Sequence, residues 1–210
     1  MAIGKFITFE GGEGCGKSTQ SALLCKALEH ANIPHIHTRE PGGTEGAEAI
    51  RSLLVTGDIN RWDSMTELLL HFAARRDHLT KVIKPSLEQG TWVICDRYVH
   101  STIAYQGYGH GLSLETIKMI SNLVIGRVKP CLTVVLDADP AIALARTHQR
   151  THNETRYEAM EHHFHHRLRQ GFLELSKTDT NRFITLDATD DIQSIQDAIR
   201  QRIYQQFALF

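Results

Sequence analysis

Short apolar runs alternate along this chain with longer stretches in which apolar residues recur at helical spacing. The run Lys5-Phe6-Ile7-Thr8-Phe9-Glu10 is β-branched and aromatic, as a buried strand is. Similar runs predict strands over 35–38, 92–95, 132–136 and 183–186. A helix is predicted over 18–30, with Ala22, Leu23 and Ala27 at helical spacing. Between the second and third strands, Ser64-Met65-Thr66-Glu67 matches a capping box and opens a long helix running toward Gln89, where Gly90 offers the stop. The last helix, over about 192–207, carries Ile192, Ile195, Ile199, Ile203 and Phe207 on one stripe. Strands alternating with helices predict an α/β fold: five parallel strands with helices on both faces.

In open sheets of this kind ligands sit beyond the C-terminal strand ends. The residues there carry chemistry. After the first strand, Gly11, Gly12, Glu13, Gly14, Cys15, Gly16, Lys17 and Ser18 form a complete G-x-x-x-x-G-K-[ST] phosphate loop, with Thr19 beside it. The glycines let successive N–H groups turn toward an anion at a helix N-terminus. In such loops the lysine, here Lys17, reaches the β and γ phosphates, and the hydroxyl, here Ser18, ligates Mg2+. The chain is therefore expected to have a P-loop NTPase fold and to bind a nucleoside triphosphate. Arg39 and Arg97 leave two other strand ends, and guanidinium groups there can clamp a second phosphate.

Composition narrows the partners. At 210 residues with 41% hydrophobic content, one α/β domain over 1–210 is expected. A net charge of -1 and the lack of a long Lys/Arg run argue against a nucleic-acid partner, so the nucleotides should be small. No apolar stretch approaches a membrane span, and the N-terminus lacks a signal-peptide core, which predicts a cytoplasmic protein. The four cysteines form no C-x-x-C pair and read as reduced thiols. The run His162-His163-Phe164-His165-His166 lacks the carboxylate frame of a metal centre and reads as a solvated helix face.

Several strings together resemble the thymidylate kinase family, over nearly the whole chain. They are Phe9-Glu10-Gly11 through Ser18, Thr38-Arg39-Glu40-Pro41-Gly42-Gly43-Thr44, Phe72-Ala73-Ala74-Arg75 with His78, Val82-Ile83-Lys84-Pro85, Asp96-Arg97-Tyr98, Ser101-Thr102 and Ala104-Tyr105-Gln106-Gly107. The resemblance implies transfer of the γ-phosphoryl group of ATP to dTMP, giving dTDP and ADP, by a homodimeric nucleoside monophosphate kinase. It implies that Arg39 and Arg97 hold the acceptor phosphate and that Glu10 sits near the 3′ hydroxyl and the metal's water shell. Asp96 would help order Mg2+. Phe72 would stack on thymine, Arg75 and Gln106 would contact the base, Tyr105 would pack against the sugar and disfavour a 2′ hydroxyl, and Ser101 would belong to the substrate site. Phe72 and Arg75, three apart, share a helix face. Many family members place the aromatic four before the arginine, where this chain has His71, and Arg76 is a rival for the base contact.

The acceptor is already a phosphate with a second pKa of about 6, so no protein base is needed. Catalysis rests on positioning and charge. The variable loop positions contain no basic residue, so further positive charge must come from elsewhere. The polar stretch 146–156 resembles the mobile lid of bacterial-type members, with Arg150 and Arg156 closing over ATP. On that reading Arg156→Ala slows transfer and spares dTMP affinity. The alternatives are a kinase for another deoxynucleotide or deoxynucleoside, or a GTP-dependent switch, for which the N-K-x-D guanine motif is missing.

Overall fold

The computed structural model describes residues 3–147 and 156–209. Five strands form one parallel sheet: β1 (Phe6–Glu10), β2 (His35–Arg39), β3 (Trp92–Asp96), β4 (Leu132–Asp137) and β5 (Phe183–Asp187), in the order β2-β3-β1-β4-β5. The central strand β1 is buried throughout, whereas the edge strand β2 is partly exposed. Each predicted strand is present, and four of them extend one residue further, onto Arg39, Asp96, Asp137 and Asp187. Register explains this: Arg39 pairs with Asp96, and Asp137 with Asp187, so backbone pairing continues past the last apolar side chain.

The helices are α1 (Lys17–His30), α2 (Glu45–Val55), α3 (Ser64–His78), α4 (Lys84–Glu88), α5 (Val99–Thr102), α6 (Leu114–Ile125), α7 (Pro140–Thr147), α8 (His162–Lys177) and α9 (Ile192–Phe207). One apolar core packs α1 and α9 on the sheet through Leu24, Leu28, Ile199 and Ile203; a second packs α3 and α6 on the other face through Leu68, Phe72 and Ile117. The inward face of α1 is Ser21, Leu24, Cys25 and Leu28, one position around from the stripe expected on Ala22, Leu23 and Ala27.

Two features correct the long helix read from the sequence. Its N-cap is Asp63, not Ser64: the Asp63 carboxylate accepts from the N–H groups of Met65 at 3.0 Å and Thr66 at 3.1 Å. Its ladder also widens into a π-helical turn over Leu79–Ile83 before α4 resumes. Pro85 has no N–H for the carbonyl four residues before it, which is where the α ladder gives way. A second π-helical stretch, Ile103–Gly109, follows α5 and carries Tyr105 and Gln106. No helix among the described residues is long and apolar enough to cross a membrane.

Candidate active site

The phosphate loop leaves β1 at Gly11 and enters α1 at Lys17. Gly14 sits at φ 71, where an added Cβ would come within 1.9 Å of the Ala143 carbonyl oxygen. Gly16, at φ 84, precedes α1 and leaves its first N–H groups without a side-chain cap. A helix N-terminus is thereby left open to an anion. Lys17 is buried, and its ammonium donates to the Gly12 carbonyl at 2.6 Å. Burial lowers its pKa; Arg97 adds to that effect and Glu13 opposes it. Ser18 Oγ donates to the Asp96 carboxylate at 2.6 Å, so the hydroxyl starting α1 faces the acid ending β3.

Arg97 follows β3 with φ 66, a backbone conformation that non-glycine residues hold only where their surroundings enforce it. Its guanidinium donates to the Gly11 carbonyl at 2.8 Å, Ser101 Oγ at 3.1 Å and the Glu13 carboxylate at 2.9 Å, and lies 5.1 Å from the Tyr105 ring centroid. The Tyr105 hydroxyl donates to the same Glu13 oxygen at 2.7 Å. Burial works against the charge on Glu13, yet Arg97 and Lys17 outweigh it and hold the carboxyl down to about 2. Glu10 is placed differently from the expectation. It lies fully buried behind the 97–101 turn, accepting from the Tyr98 N–H at 2.9 Å and Ser101 Oγ at 2.6 Å, and burial raises its pKa. Glu10 does not line the cavity; Glu13, next to Arg97, does.

A cavity of about 270 Å³ runs from this loop to α3 and the second π-helical stretch. Arg39 lines it, exposed and paired with Glu48 at 3.1 Å. Arg75 lines it from a buried position, donating to Glu40 at 2.7 Å, Thr102 Oγ1 at 2.9 Å and the Tyr98 carbonyl at 3.0 Å. Arg76 points instead to the Val124 carbonyl on α6, at 3.1 Å, which separates the two rivals. The aromatic assignment is corrected as well. Phe72 is in the core beneath the Arg75 guanidinium, 5.2 Å away, while His71 faces the cavity. Adjacent helical positions differ by about 100° in direction, and packing against Leu68 and Tyr98 takes Phe72 inward. Burial lowers the His71 pKa to about 4, against the opposing pull of Glu67, so the ring is neutral.

Gln106 is buried in the cavity wall. Its Nε2 donates to Glu67 at 2.9 Å, and its Oε1 has no partner among the described residues. Glu67 therefore fixes which end of the amide is an acceptor. Glu67 is itself held by Arg156, at 2.5 Å, with both side chains 1% exposed. Arg156 also donates to the carbonyls of Asp58 at 3.1 Å, Leu54 at 3.0 Å and Ile59 at 3.0 Å. That is not a position over the phosphate loop: Arg156 is a buried tie between the start of the 156–161 segment, the loop after α2, and α3. Arg150 lies outside the described residues, as does most of the stretch read as a lid.

The sequence reading missed Arg51, Tyr157 and Glu158, all of which line the cavity. For Arg51 a signal existed: a cation on the helix that follows the Thr-Arg-Glu-Pro-Gly-Gly loop, with its Nη1 now 2.7 Å from the Pro41 carbonyl. In the histidine run, Phe164 and His165 are buried while His162, His163 and His166 face out. No group of three or more metal-ligating side chains occurs among the described residues.

A parallel sheet in this strand order, with a phosphate loop opening onto a cavity that also holds a second set of arginines, defines a P-loop phosphotransferase acting between nucleotides. Comparisons with known proteins narrow the class. The family model for thymidylate kinase matches residues 9–199. A thymidylate kinase from Caulobacter vibrioides is 44% identical over 209 residues, covering 100% of both chains, and one from Magnetococcus marinus is 43% identical over 97% of both. The crystal structure of thymidylate kinase from Ehrlichia chaffeensis superposes with a TM-score of 0.77 at 38% identity, covering 95% of this chain and 97% of that one. The chain belongs to the thymidylate kinase family.

Proposed function

We propose that the chain transfers the γ-phosphoryl group of ATP to dTMP, giving dTDP and ADP, with the residue roles that follow. The observation that carries the reading is one cavity joining Lys17, Ser18 and Arg97 to His71, Arg75 and Gln106. The phosphate loop and Lys17 hold the donor. Arg39, Arg97 and Arg51 hold the acceptor phosphate, and Glu13, kept ionised between Arg97 and Tyr105, accepts from the sugar hydroxyl in place of Glu10. Ser101 fixes Arg97 and Glu10 in their places.

The base is read by the Gln106 amide. Because Glu67 takes its N–H, the buried Oε1 is left as an acceptor in the cavity wall, which suits the imide N–H of thymine or uracil and would leave the bare N3 of cytosine unpaired. His71 forms the flat wall and Arg75 the polar end. Ser18 and Asp96 suit Mg2+, a hard cation that takes a few protein oxygens and completes its shell with water and substrate phosphates. Bound there, it would neutralise charge on the phosphates. The chain's own residues do the rest: Lys17 and Arg97 orient the reacting groups, and the Tyr105 and Tyr157 rings in the cavity wall limit the water that reaches them.

The reading also includes a cytoplasmic enzyme forming one domain, with a lid near 146–156 that brings Arg150 to ATP. A homodimer is supported by exposed apolar side chains on two neighbouring helices: Leu69 on α3, 51% exposed, and Met119 and Leu123 on α6, 67% and 83% exposed. The test is to supply Mg-ATP with dTMP, dUMP, dCMP and thymidine in turn and to separate the nucleotide products. dTDP is expected in greatest yield and dCDP in least; no dTDP under any buffer refutes the reading.

A further inference from the structure

One hydrogen bond joins the base end of the cavity to the segment that begins at residue 156. His71 Nε2 lies 2.9 Å from the Tyr157 hydroxyl, with the two rings tilted at 41°. Both side chains line the cavity. Tyr157 is itself fixed from two sides: its ring meets Tyr105 edge-on at 5.2 Å, and its neighbour Arg156 is tied to Glu67 and three backbone carbonyls. Burial, with the negative charge of Glu67 next in effect, raises the phenol well above its ordinary pKa, so the hydroxyl keeps its proton. A hydroxyl proton turns toward the nearby negative charge of Glu67, which leaves the phenol oxygen to accept from the Nε2–H of His71 at 2.9 Å. Nδ1 is then the nitrogen left for a ligand.

We propose that Tyr157 is a positioning residue for the acceptor base: its hydroxyl holds the His71 imidazole in one rotamer and one tautomer, making the ring a fixed wall of the pocket. This rests on the reading of the cavity as the dTMP site. A phenylalanine at position 71 would need no such partner, since it has no polar atoms to satisfy. A half-buried imidazole does, because a free ring would be divided among rotamers and tautomers that present different edges to the base. Tyr157 thus ties the specificity of the pocket to the same segment that Arg156 anchors.

The test is a double-mutant cycle on full-length protein with Tyr157→Phe, His71→Phe and the pair. Tyr157→Phe removes one oxygen and keeps the ring against Tyr105. It is expected to weaken dTMP, as KM and as Kd by calorimetry, about fivefold, with kcat and the KM for ATP changed less than about twofold. In the His71→Phe background the same change is expected to do nothing further. In ¹⁵N spectra of the wild type, His71 is expected as a single Nε2–H tautomer, and as a mixture in Tyr157→Phe. Equal losses in both backgrounds, or no loss in the wild-type background, overturn the proposal. A wild-type chain that makes no dTDP sinks the dTMP reading instead, and the tautomer spectrum still decides the pair.

Discussion

Replacing Arg156 with alanine separates two accounts of this residue. In the structure its guanidinium is buried, pairs with a Glu67 carboxylate that is equally buried, and satisfies the carbonyls of Leu54, Asp58 and Ile59. Truncation removes the cation paired with the buried Glu67 carboxylate and leaves the Leu54 carbonyl, which is buried, and those of Asp58 and Ile59 short of a donor. Breaking a buried pair in this way costs roughly 3–5 kcal/mol, which for a chain of this length lowers Tm by roughly 6–20 °C. Glu67 also orients Gln106, so the KM for dTMP is expected to rise while kcat at 15 °C falls little. Differential scanning calorimetry and steady-state kinetics on the same preparation read both quantities. Adding Glu67→Gln, which removes the stranded charge, should recover part of the Tm. An unchanged Tm with a large drop in kcat and an unaltered KM for dTMP would refute this account and return Arg156 to the donor side.

Lys17→Met should lower the rate of transfer by about a thousandfold or more with dTMP binding by calorimetry nearly unchanged; a variant keeping a tenth of the rate contradicts the phosphate-loop role. Gln106→Leu should cut kcat/KM for dTMP roughly 10–100-fold and narrow its advantage over dCMP, and an unaltered ratio between the two would remove Gln106 from base reading. Stability should fall on acidification in two stages. His71 and His100 are half-buried, and desolvation lowers them from 6.5 to about 4, so their contribution is complete above about pH 6.5 and is lost as pH falls through 4. Glu13 and Glu67 are lowered from 4.5 to about 2, so theirs persists to about pH 4.5 and drains away toward pH 2. Urea midpoints measured from pH 8 to pH 4 check the first stage, and a flat profile below pH 6.5 contradicts it.

The parts of this molecule legible in its sequence are those set by local chemistry. Five apolar runs and a glycine-rich loop gave the sheet and the donor site, because a strand buried on both faces must be apolar and a phosphate cradle must turn through positive φ. What failed depended on partners distant in the chain. Asp63 and Ser64 both fit a cap, and the choice turned on Glu67, which Arg156 draws into the interior away from the helix N-terminus. Periodicity cannot say which of His71 and Phe72 faces a cavity; packing against Tyr98 and Leu68 says it. The stretch around Arg156 reads as a polar surface loop because its partners, the carbonyls in the last turn of α2 and just after it, lie about a hundred residues earlier.

The charges of the cavity show what kind of binding this site favours. Its walls carry five cationic side chains, Lys17, Arg39, Arg51, Arg75 and Arg97, against four carboxylates, Glu13, Glu40, Asp96 and Glu158. Such a balance is too even to concentrate phosphates by long-range attraction. It is well suited to aiming donors, since Glu40 fixes Arg75 at 2.7 Å and Glu13 fixes Arg97 at 2.9 Å before any ligand arrives. Guanidinium groups held in this way need little reorganisation as charge develops on a transferring phosphoryl group, where preorganised dipoles and charges act most strongly. The site gives up affinity for orientation. On the proposed reading, the remaining positive charge that two nucleotide anions require would arrive with them: from a cation held by Ser18 and Asp96, and from Arg150 of the proposed lid. Transfer therefore depends on the assembled complex, which is how a phosphotransferase avoids spending ATP on water when the acceptor is missing.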